Sequence, residues 1–485
     1  MEVERPLKLL MIPFPAPGHM IPLCDIATLF ASRGHHVTFI TTPSNVHFFT
    51  KSFSSEDPSV FRIHTVDFPA QQVGLPSGIE YMSSTIDPDA GGKIYKAAML
   101  LHGPVEDFTK NDPADCIIAD CLYPWVNDLA TKLRIPSLAF TGFSLFTISL
   151  VESLRKNHML HCDSDSSSFT VTHFPHRITF CTKPPKEFTG SIEMMLDNML
   201  KSNGIIINSF AELDGEECIE HYEKITGQKA WHLGPAYLIR RTIQEKAERG
   251  DKSDVSMHEY LSWLNLKRVN SVLYICFGSI CYFYDKQLYE IACGIEASGH
   301  EFIWVVPEKK GKEDESEEEK EKWLPKGFEE RNIEKNKGLI IRGWAPQVMI
   351  LSHPAVGAFM THCGWNSSVE AIGAGIPTIT WPVHGEQFYN EKLITEVRGI
   401  GVEVGATEWC LGGFREREKL VSRESIEKAV RRLMDGGDEA EEIRRRTREF
   451  GEKARGAVEE GGSSHKNLLA LIDDLKRLRD FKQLK

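Results

Sequence analysis

Two doubly wound, Rossmann-like α/β domains with parallel sheets are predicted by three observations. The chain has 485 residues, enough for two domains at about 100–200 residues each. Short continuous apolar runs alternate with amphipathic helical patterns, as strands buried on both faces do. The same alternation then starts afresh near Ser271.

Along the first half, Leu7 to Phe14 reads as a strand, Ile21 to Ser32 as a helix and His36 to Ile40 as a second strand. A helical pattern follows near 92–108, and the runs Cys116 to Ala119, Ser137 to Phe140 and Gly204 to Asn208 continue the strand series. In the second half the strands are Ser271 to Phe277, Phe302 to Val306, Gly338 to Arg342, Gly357 to Thr361 and Pro377 to Trp381, with a helix at about 285–298. Between the halves, Gly234 to Ser256 is polar and charged, as expected of a linker. The expected units are 1–245, 246–460 and a terminal helix in 461–485 that packs back on the first domain. The charged run Glu308 to Lys322 is expected to be a solvated surface loop. No repeat of 20–50 residues is present, which excludes solenoids and propellers.

Composition narrows the function. With 41% hydrophobic and 26% charged residues the chain can bury a core, and its net charge of −12 argues against a dedicated nucleic-acid or anionic-membrane binder. Eleven scattered cysteines contain no CxxC pair, so neither a disulfide framework nor a zinc ribbon is indicated, and a reducing compartment fits. The start, MEVERPLKLLMIPFPAPGHM, has its apolar run broken by Pro13, Pro15 and Pro17, unlike a secretory signal. No stretch reaches the ~18 apolar residues of a membrane span. A soluble protein of the cytoplasm is expected.

Ligands of doubly wound sheets bind at the carboxyl ends of the strands, where helix N-termini offer N–H groups to phosphates. The loop after the first strand, PFPAPGHMIP, presents His19 as a helix begins. The corresponding loop of the second half, CFGSICYF, presents Gly278 and Ser279. Neither carries a dinucleotide or P-loop glycine fingerprint. His19 reads either as a packed helix-start histidine or as a general base, since imidazole titrates near neutral pH. In DCIIAD an acid, Asp120, ends a buried strand, where a carboxylate needs a partner. It reads as a helix cap before YPWVNDLA or as the carboxylate of a His–Asp dyad, fixing the imidazole tautomer.

The stretch from Trp344 to Gln387 is more specific. Its centre, THCGWNSSVE, follows an apolar strand and opens a helix, a favourable site for a diphosphate. Gly364 allows close backbone approach, while Asn366, Ser367 and Ser368 add short polar groups. Trp344 offers a face to a planar base, Gln347 and Glu370 suit ribose hydroxyls, and Glu386 with Gln387 suit a sugar ring. Each residue alone has an ordinary structural reading; the joint spacing carries the assignment.

That stretch resembles the donor-binding signature of plant family 1 UDP-sugar glycosyltransferases. PFPAPGHMIP, IADCLYPW, SWLNL, SVLYICFGS, FIWVV, THCGWNS and HGEQFYNEKL are similar to the family in order and spacing, over essentially the whole chain. The resemblance implies the GT-B fold, with an N-terminal acceptor domain facing a C-terminal donor domain. It implies His19 as general base with Asp120 as its partner, Trp344 stacked on uracil, the Ala345 backbone bonded to the base, and Gln347 and Glu370 on the ribose. It further implies His362, Gly364, Asn366, Ser367 and Ser279 at the diphosphate, and Trp365, Glu386, Gln387 and Thr141 at the sugar. Asn265 stands where an Asp is commoner, and His384-Gly385 precede Glu386 where apolar residues are usual.

The implied reaction is inverting transfer of a sugar to a hydroxyl, giving a β-O-glycoside and UDP. No metal and no cofactor are expected, and His353, His362 and His384 lack metal-ligand spacing. A terminal Gln in the stretch is what the family associates with glucose; xylose, galactose and glucuronate donors are the alternatives. The acceptor is expected to be a lipophilic plant metabolite, triterpenoid (saponin) or flavonoid, with Gly142 to Leu150 and Ser191 to Leu200 as candidate linings or core. A monomer is expected. Two readings from other classes are a non-catalytic UDP-sugar sensor, which the presence of His19 and Asp120 disfavours, and a nicotinamide oxidoreductase, which would require the missing glycine fingerprint.

Overall fold

The computed structural model describes residues 5–50, 59–83, 90–160, 168–240, 242–251, 257–306, 316–410 and 419–483. The first half contains β1 (Lys8–Ile12), β2 (His36–Thr41), β3 (Phe61–Thr65), β4 (Cys116–Asp120), β5 (Ser137–Thr141), a hairpin of β6 (Phe169–Val171) and β7 (Ile178–Phe180), then β8 (Ile205–Ile207) and β9 (Ala230–His232). Apart from the hairpin these strands form one parallel sheet in the order β3-β2-β1-β4-β5-β8-β9. The second half contains β10 (Val272–Cys276), β11 (Glu301–Val306), β12 (Gly338–Arg342), β13 (Val356–Thr361), β14 (Thr378–Thr380) and β15 (Gly401–Glu403), parallel in the order β12-β11-β10-β13-β14-β15. The two-sheet α/β class expected from sequence is the observed one.

Strand order reverses between β1 and β4 in one sheet and between β10 and β13 in the other. A crevice opens at such a switch point because the two connections leave on opposite faces. The loops that flank these crevices follow β1, β4, β10 and β13.

The helical pattern expected near 92–108 is two helices, Ala90–Met99 and His102–Asn111. Pro104 lacks an N–H, so it is tolerated in the first turn of the second helix but not inside one continuous helix. The first helix starts earlier than expected, at Pro17, and runs to Ala31. Strands β3, β9 and β15 were not anticipated: FRIHT, AWH and GVE are short and carry no sustained apolar run. The charged run from Glu308 falls largely outside the described residues, but Ser316, Glu318, Glu319, Glu321 and Lys322 are exposed.

The two halves are not loosely tethered. Trp365, Val369, Tyr389 and Leu393 of the second half share a buried core with Leu145, Ile148 and Val151 of the first. The terminal helix Ser463–Gln483 places Leu468, Leu471, Ile472 and Leu475 in the core of β1 and its helix, beside Leu9 and Ile26. Ser464 Oγ also donates to the Gly234 carbonyl at 2.5 Å.

Candidate active site

His19 and Asp120 are 101 residues apart in sequence, but β1 and β4 are sheet neighbours, so the loops that follow them meet. His19 Nδ1 lies 2.6 Å from Asp120 Oδ2, with the histidine side chain one-fifth exposed and the carboxylate fully buried. The other carboxylate oxygen accepts the Leu122 N–H at 3.0 Å. Asp120 is not a helix cap, since the next helix, Trp125–Leu133, begins after Pro124. Burial by itself lowers the His19 pKa, but the charge and hydrogen bond of Asp120, with a further contribution from Glu386, leave it raised. With Nδ1 held by the carboxylate, Nε2 is the nitrogen left to take a proton. The Phe14 ring packs edge-on against the imidazole, with centroids 5.6 Å apart.

A proline explains how this loop is tied to the other half. Pro22 lies within the helix Pro17–Ala31 and has no N–H to give to the residue four before it, Gly18. The Gly18 carbonyl accepts instead from Asn366 Nδ2, at 2.5 Å across the cleft. Asn366 Oδ1 in turn accepts from Asn208 Nδ2 at 3.2 Å. Both ends of the Asn366 amide are thus engaged with the first half.

Asn366 belongs to the helix Trp365–Ala374, whose N-cap is Gly364. In the preceding loop Cys363 has φ +64°, a left-handed conformation that is costly for a side-chain-bearing residue and is held by its surroundings. A Cβ on Gly364 would lie 2.3 Å from His362 Nε2, and one on Gly278 2.6 Å from its Cε1. Glycine at both positions makes room for the imidazole. Burial, with His384 adding repulsion, pushes His362 down to about 3, so it is neutral and has one N–H to donate. The Trp365 indole Nε1 donates to the Asn208 carbonyl at 3.0 Å, so its ring faces the first half although the residue borders the cleft.

Burial pushes the Glu386 carboxyl up to about 7, against backbone N–H groups including that of Trp365 and the attraction of His19. Gln387 Oε1 accepts from the Val383 and His384 N–H groups at 2.8 and 3.0 Å. What Gln387 can offer a sugar is therefore its amide NH2.

At the other end of the cleft, Trp344, Ala345, Gln347 and Glu370 line one wall. Gln347 Nε2 donates to Ser367 Oγ at 3.0 Å and to Glu370 Oε2 at 2.8 Å. The second carboxylate oxygen, Oε1, accepts from Arg249 Nη1 at 2.6 Å, and Arg249 Nε donates to Asp25 Oδ2 at 2.8 Å. Asp25 Oδ1 accepts from Arg240 Nε at 3.1 Å. All four charged side chains are buried, and removing one partner of such a set costs about 3–5 kcal/mol because its counter-charge is stranded. Arg240 and Arg249 come from the segment read as a linker. The sequence carries no signal for their burial, since a polar, charged run looks the same whether its charges meet water or buried carboxylates.

The cleft encloses about 540 Å³ and takes its walls from both halves: Pro17, His19 and Phe143 on one side, Ser279, His362, Gly364 and Glu386 on the other. Thr141 is not brought to it; the residue is fully buried and its Oγ1 accepts the Phe143 N–H at 3.2 Å. Of the expected acceptor linings only Gly142 and Phe143 reach the cleft. Leu145, Phe146, Ile148 and Leu150, and Ile192, Met195 and Leu196, are core. Asn265 Oδ1 lies 3.2 Å from His353 Nε2, away from the cleft.

Two family models match the chain: "Glycosyltransferase, N-terminal domain" over residues 6–237 and "UDP-glucoronosyl and UDP-glucosyl transferase" over 251–433. UDP-glucosyl transferase 73CC6 of Saponaria officinalis is 46% identical, covering 100% of this chain and 99% of that protein. UDP-glucose flavonoid 3-O-glucosyltransferase 7 of Fragaria ananassa is 45% identical over 97% of this chain and 96% of its own. The crystal structure of Glycyrrhiza uralensis UGT73P12, complexed with glycyrrhetinic acid 3-O-monoglucuronide, is 38% identical with TM-score 0.89, covering 99% and 97% of the two chains. Two switch-point crevices facing each other, with the His19–Asp120 pair opposite the helix start at Gly364, and relatives matched from end to end, place this chain in the plant UDP-sugar glycosyltransferase family of GT-B fold.

Proposed function

We propose that the protein transfers glucose from UDP-glucose to a hydroxyl of a lipophilic plant secondary metabolite, a triterpenoid or a flavonoid, releasing UDP and a β-O-glucoside. The observation that carries this is the His19–Asp120 pair, held 2.6 Å apart, with His19 lining the same cleft as the N-terminus of the helix Trp365–Ala374 and Asp120 buried behind it. His19 Nε2 removes the acceptor proton as the oxygen forms its bond to the anomeric carbon from the face opposite UDP. The bond from that carbon to the β-phosphate oxygen breaks, and the electron pair leaves with UDP. Asp120 holds the Nδ1–H tautomer and stabilises the imidazolium that forms. Negative charge growing on the phosphate is met by donors in place beforehand: His362, Ser279, Ser367 and the N–H groups of the helix start.

In this reading Trp344 and the Ala345 backbone hold uracil, Gln347 and Glu370 the ribose, and Glu386 and Gln387 the sugar. Asn366 acts as a bridge to the loop of His19, in keeping with its two hydrogen bonds to the first half. The apolar walls at Pro17, Phe143 and Ile280 suit a lipophilic acceptor. The relatives named for glucose and a flavonoid support the choice of donor and acceptor class. We further propose a monomer acting in the cytoplasm without metal; no helix among the described residues is long and apolar enough to cross a membrane.

The test is a UDP-release assay with EDTA present, pairing UDP-glucose, UDP-galactose, UDP-xylose and UDP-glucuronate with triterpenoid and flavonoid aglycones, the products being weighed by mass spectrometry. A hexose-sized gain with UDP-glucose is expected. Turnover with another donor alone overturns the choice of glucose, and loss of turnover with EDTA overturns the metal-free mechanism.

A further inference from the structure

We propose that the segment joining the two halves forms the nucleoside end of the donor site, with Arg249 as the positioning residue for Glu370 and Gly250 as the seat of Trp344. This rests on Glu370 being the ribose ligand. The first observation is the fork of Arg249, which reaches Glu370 with Nη1 and Asp25 with Nε at 2.6 and 2.8 Å. Asp25 lies on the helix that also carries His19 and is almost wholly buried. One guanidinium therefore connects the catalytic helix of the first half to the ribose-facing acid of the second. A planar fork suits two carboxylates at fixed angles in a way a point charge does not.

Geometry also says what the contact does for Glu370. Arg249 takes Oε1 and Gln347 takes Oε2, which fixes the plane of the carboxylate. Each carboxylate oxygen has a second lone pair, so a ribose diol can donate to the carboxylate without displacing either partner. Tyr237 completes the enclosure, with Arg249 over its ring at 5.8 Å and its hydroxyl donating to the Glu370 carbonyl at 3.2 Å.

The second, independent observation is Gly250, at φ +95°. A Cβ there would lie 2.2 Å from Trp344 Cζ2. No other residue fits without moving the indole, so the segment sets the position of the ring expected to stack on uracil. Arg249 and Gly250 thus address two parts of one nucleoside, and the two effects separate experimentally.

Full-length Arg249→Gln, Arg249→Lys, Gly250→Ala and Glu370→Gln are compared with wild type for kcat and for inhibition by UDP and by 2′-deoxy-UDP. Wild type is expected to prefer UDP by about tenfold or more, as for hydrogen bonds to a charged group. Arg249→Gln should lose most of that preference while keeping kcat at saturating donor within about threefold, the pattern of lost ground-state binding. Arg249→Lys, which keeps the charge but not the fork, should fall between, and decides the matter if the Gln variant does not fold. Gly250→Ala should weaken both nucleotides equally. Arg249 variants with an unchanged preference, or with equal loss for both nucleotides, overturn the role of Arg249; unchanged affinity in Gly250→Ala overturns that of Gly250. Glu370→Gln keeping the full preference would instead overturn the ribose assignment beneath the inference.

Discussion

The two halves share one order over six strands, to which the first adds β9, yet they assemble their chemistry differently. In the second half the residues proposed to hold the donor lie mostly between Trp344 and Gln387, on the loops that follow the successive strands β12, β13 and β14 and on the helices those loops open. In the first half His19 opens the helix after β1 and Asp120 ends β4, and the two meet only because β1 pairs with β4. A nucleotide is met largely by backbone N–H groups and short polar side chains at a helix start, which sequence-adjacent residues supply. A proton-transfer pair needs a buried carboxylate at a set distance, and sheet pairing supplies that. The first half should thus govern the chemical step and the second half donor affinity.

The sharpest way to break that division is His19→Ala, expected to lower kcat by about 10³-fold or more while leaving UDP affinity near wild type. Asp120→Asn should cost about 10²-fold or more in kcat, again with little effect on UDP, because the imidazole loses its tautomer. Single-turnover rates and UDP calorimetry read both; a parallel loss of UDP affinity would erase the distinction between the halves.

Residues that cross between the halves test the division from the other side. Asn366→Ala removes the hydrogen bond to the Gly18 carbonyl and should lower kcat by about tenfold, although it lies in the donor half. Pro22→Ala supplies that carbonyl with an N–H from its own helix. It should raise stability by about 1–3 kcal/mol while lowering kcat several-fold, so thermal melts and kinetics move in opposite directions. A rise in both would remove the bridge from the mechanism.

Acidity separates the halves further. His19, its pKa raised, is a base only above its titration, so kcat falls as the pH drops. Glu386, pushed up to about 7, loses its charge as the pH falls through that value, so KM for UDP-glucose should rise below about pH 7. In Glu386→Gln the KM change with pH should flatten while the kcat limb stays; a KM profile unchanged from wild type would rule the carboxylate out. The smallest effect is expected at Gln387, where Gln387→His should alter the glucose-to-galactose ratio of kcat/KM several-fold and leave UDP binding intact. Equal losses for both would deny it contact with the sugar.

Much of this was legible in the chain. Continuous apolar runs marked most strands of both sheets; His19 lines the cleft with Asp120 buried behind it, and the Trp344 to Gln387 stretch lines it at both its ends and at its centre. Thr141 does not reach the cleft because it ends a strand buried along its whole length, while the next two residues line the cleft. The Leu145 to Leu150 stripe is core, since an apolar helix face reads alike against a core or an acceptor. The short strands β3, β9 and β15 take their structure from neighbours, because FRIHT, AWH and GVE lack the sustained apolar run that marked β8 at the same short length.

The sequence by itself determined the α/β class, the doubling and the position of the helix start at Gly364, because these follow from local periodicity and local backbone chemistry. Only the tertiary structure decided that the Gly18 carbonyl would be answered by Asn366, and that Arg249 would be buried between Asp25 and Glu370 rather than solvated. The physical reason is that a hydrogen-bonding group or a charge must be satisfied somewhere, but nothing in its own neighbourhood says by whom.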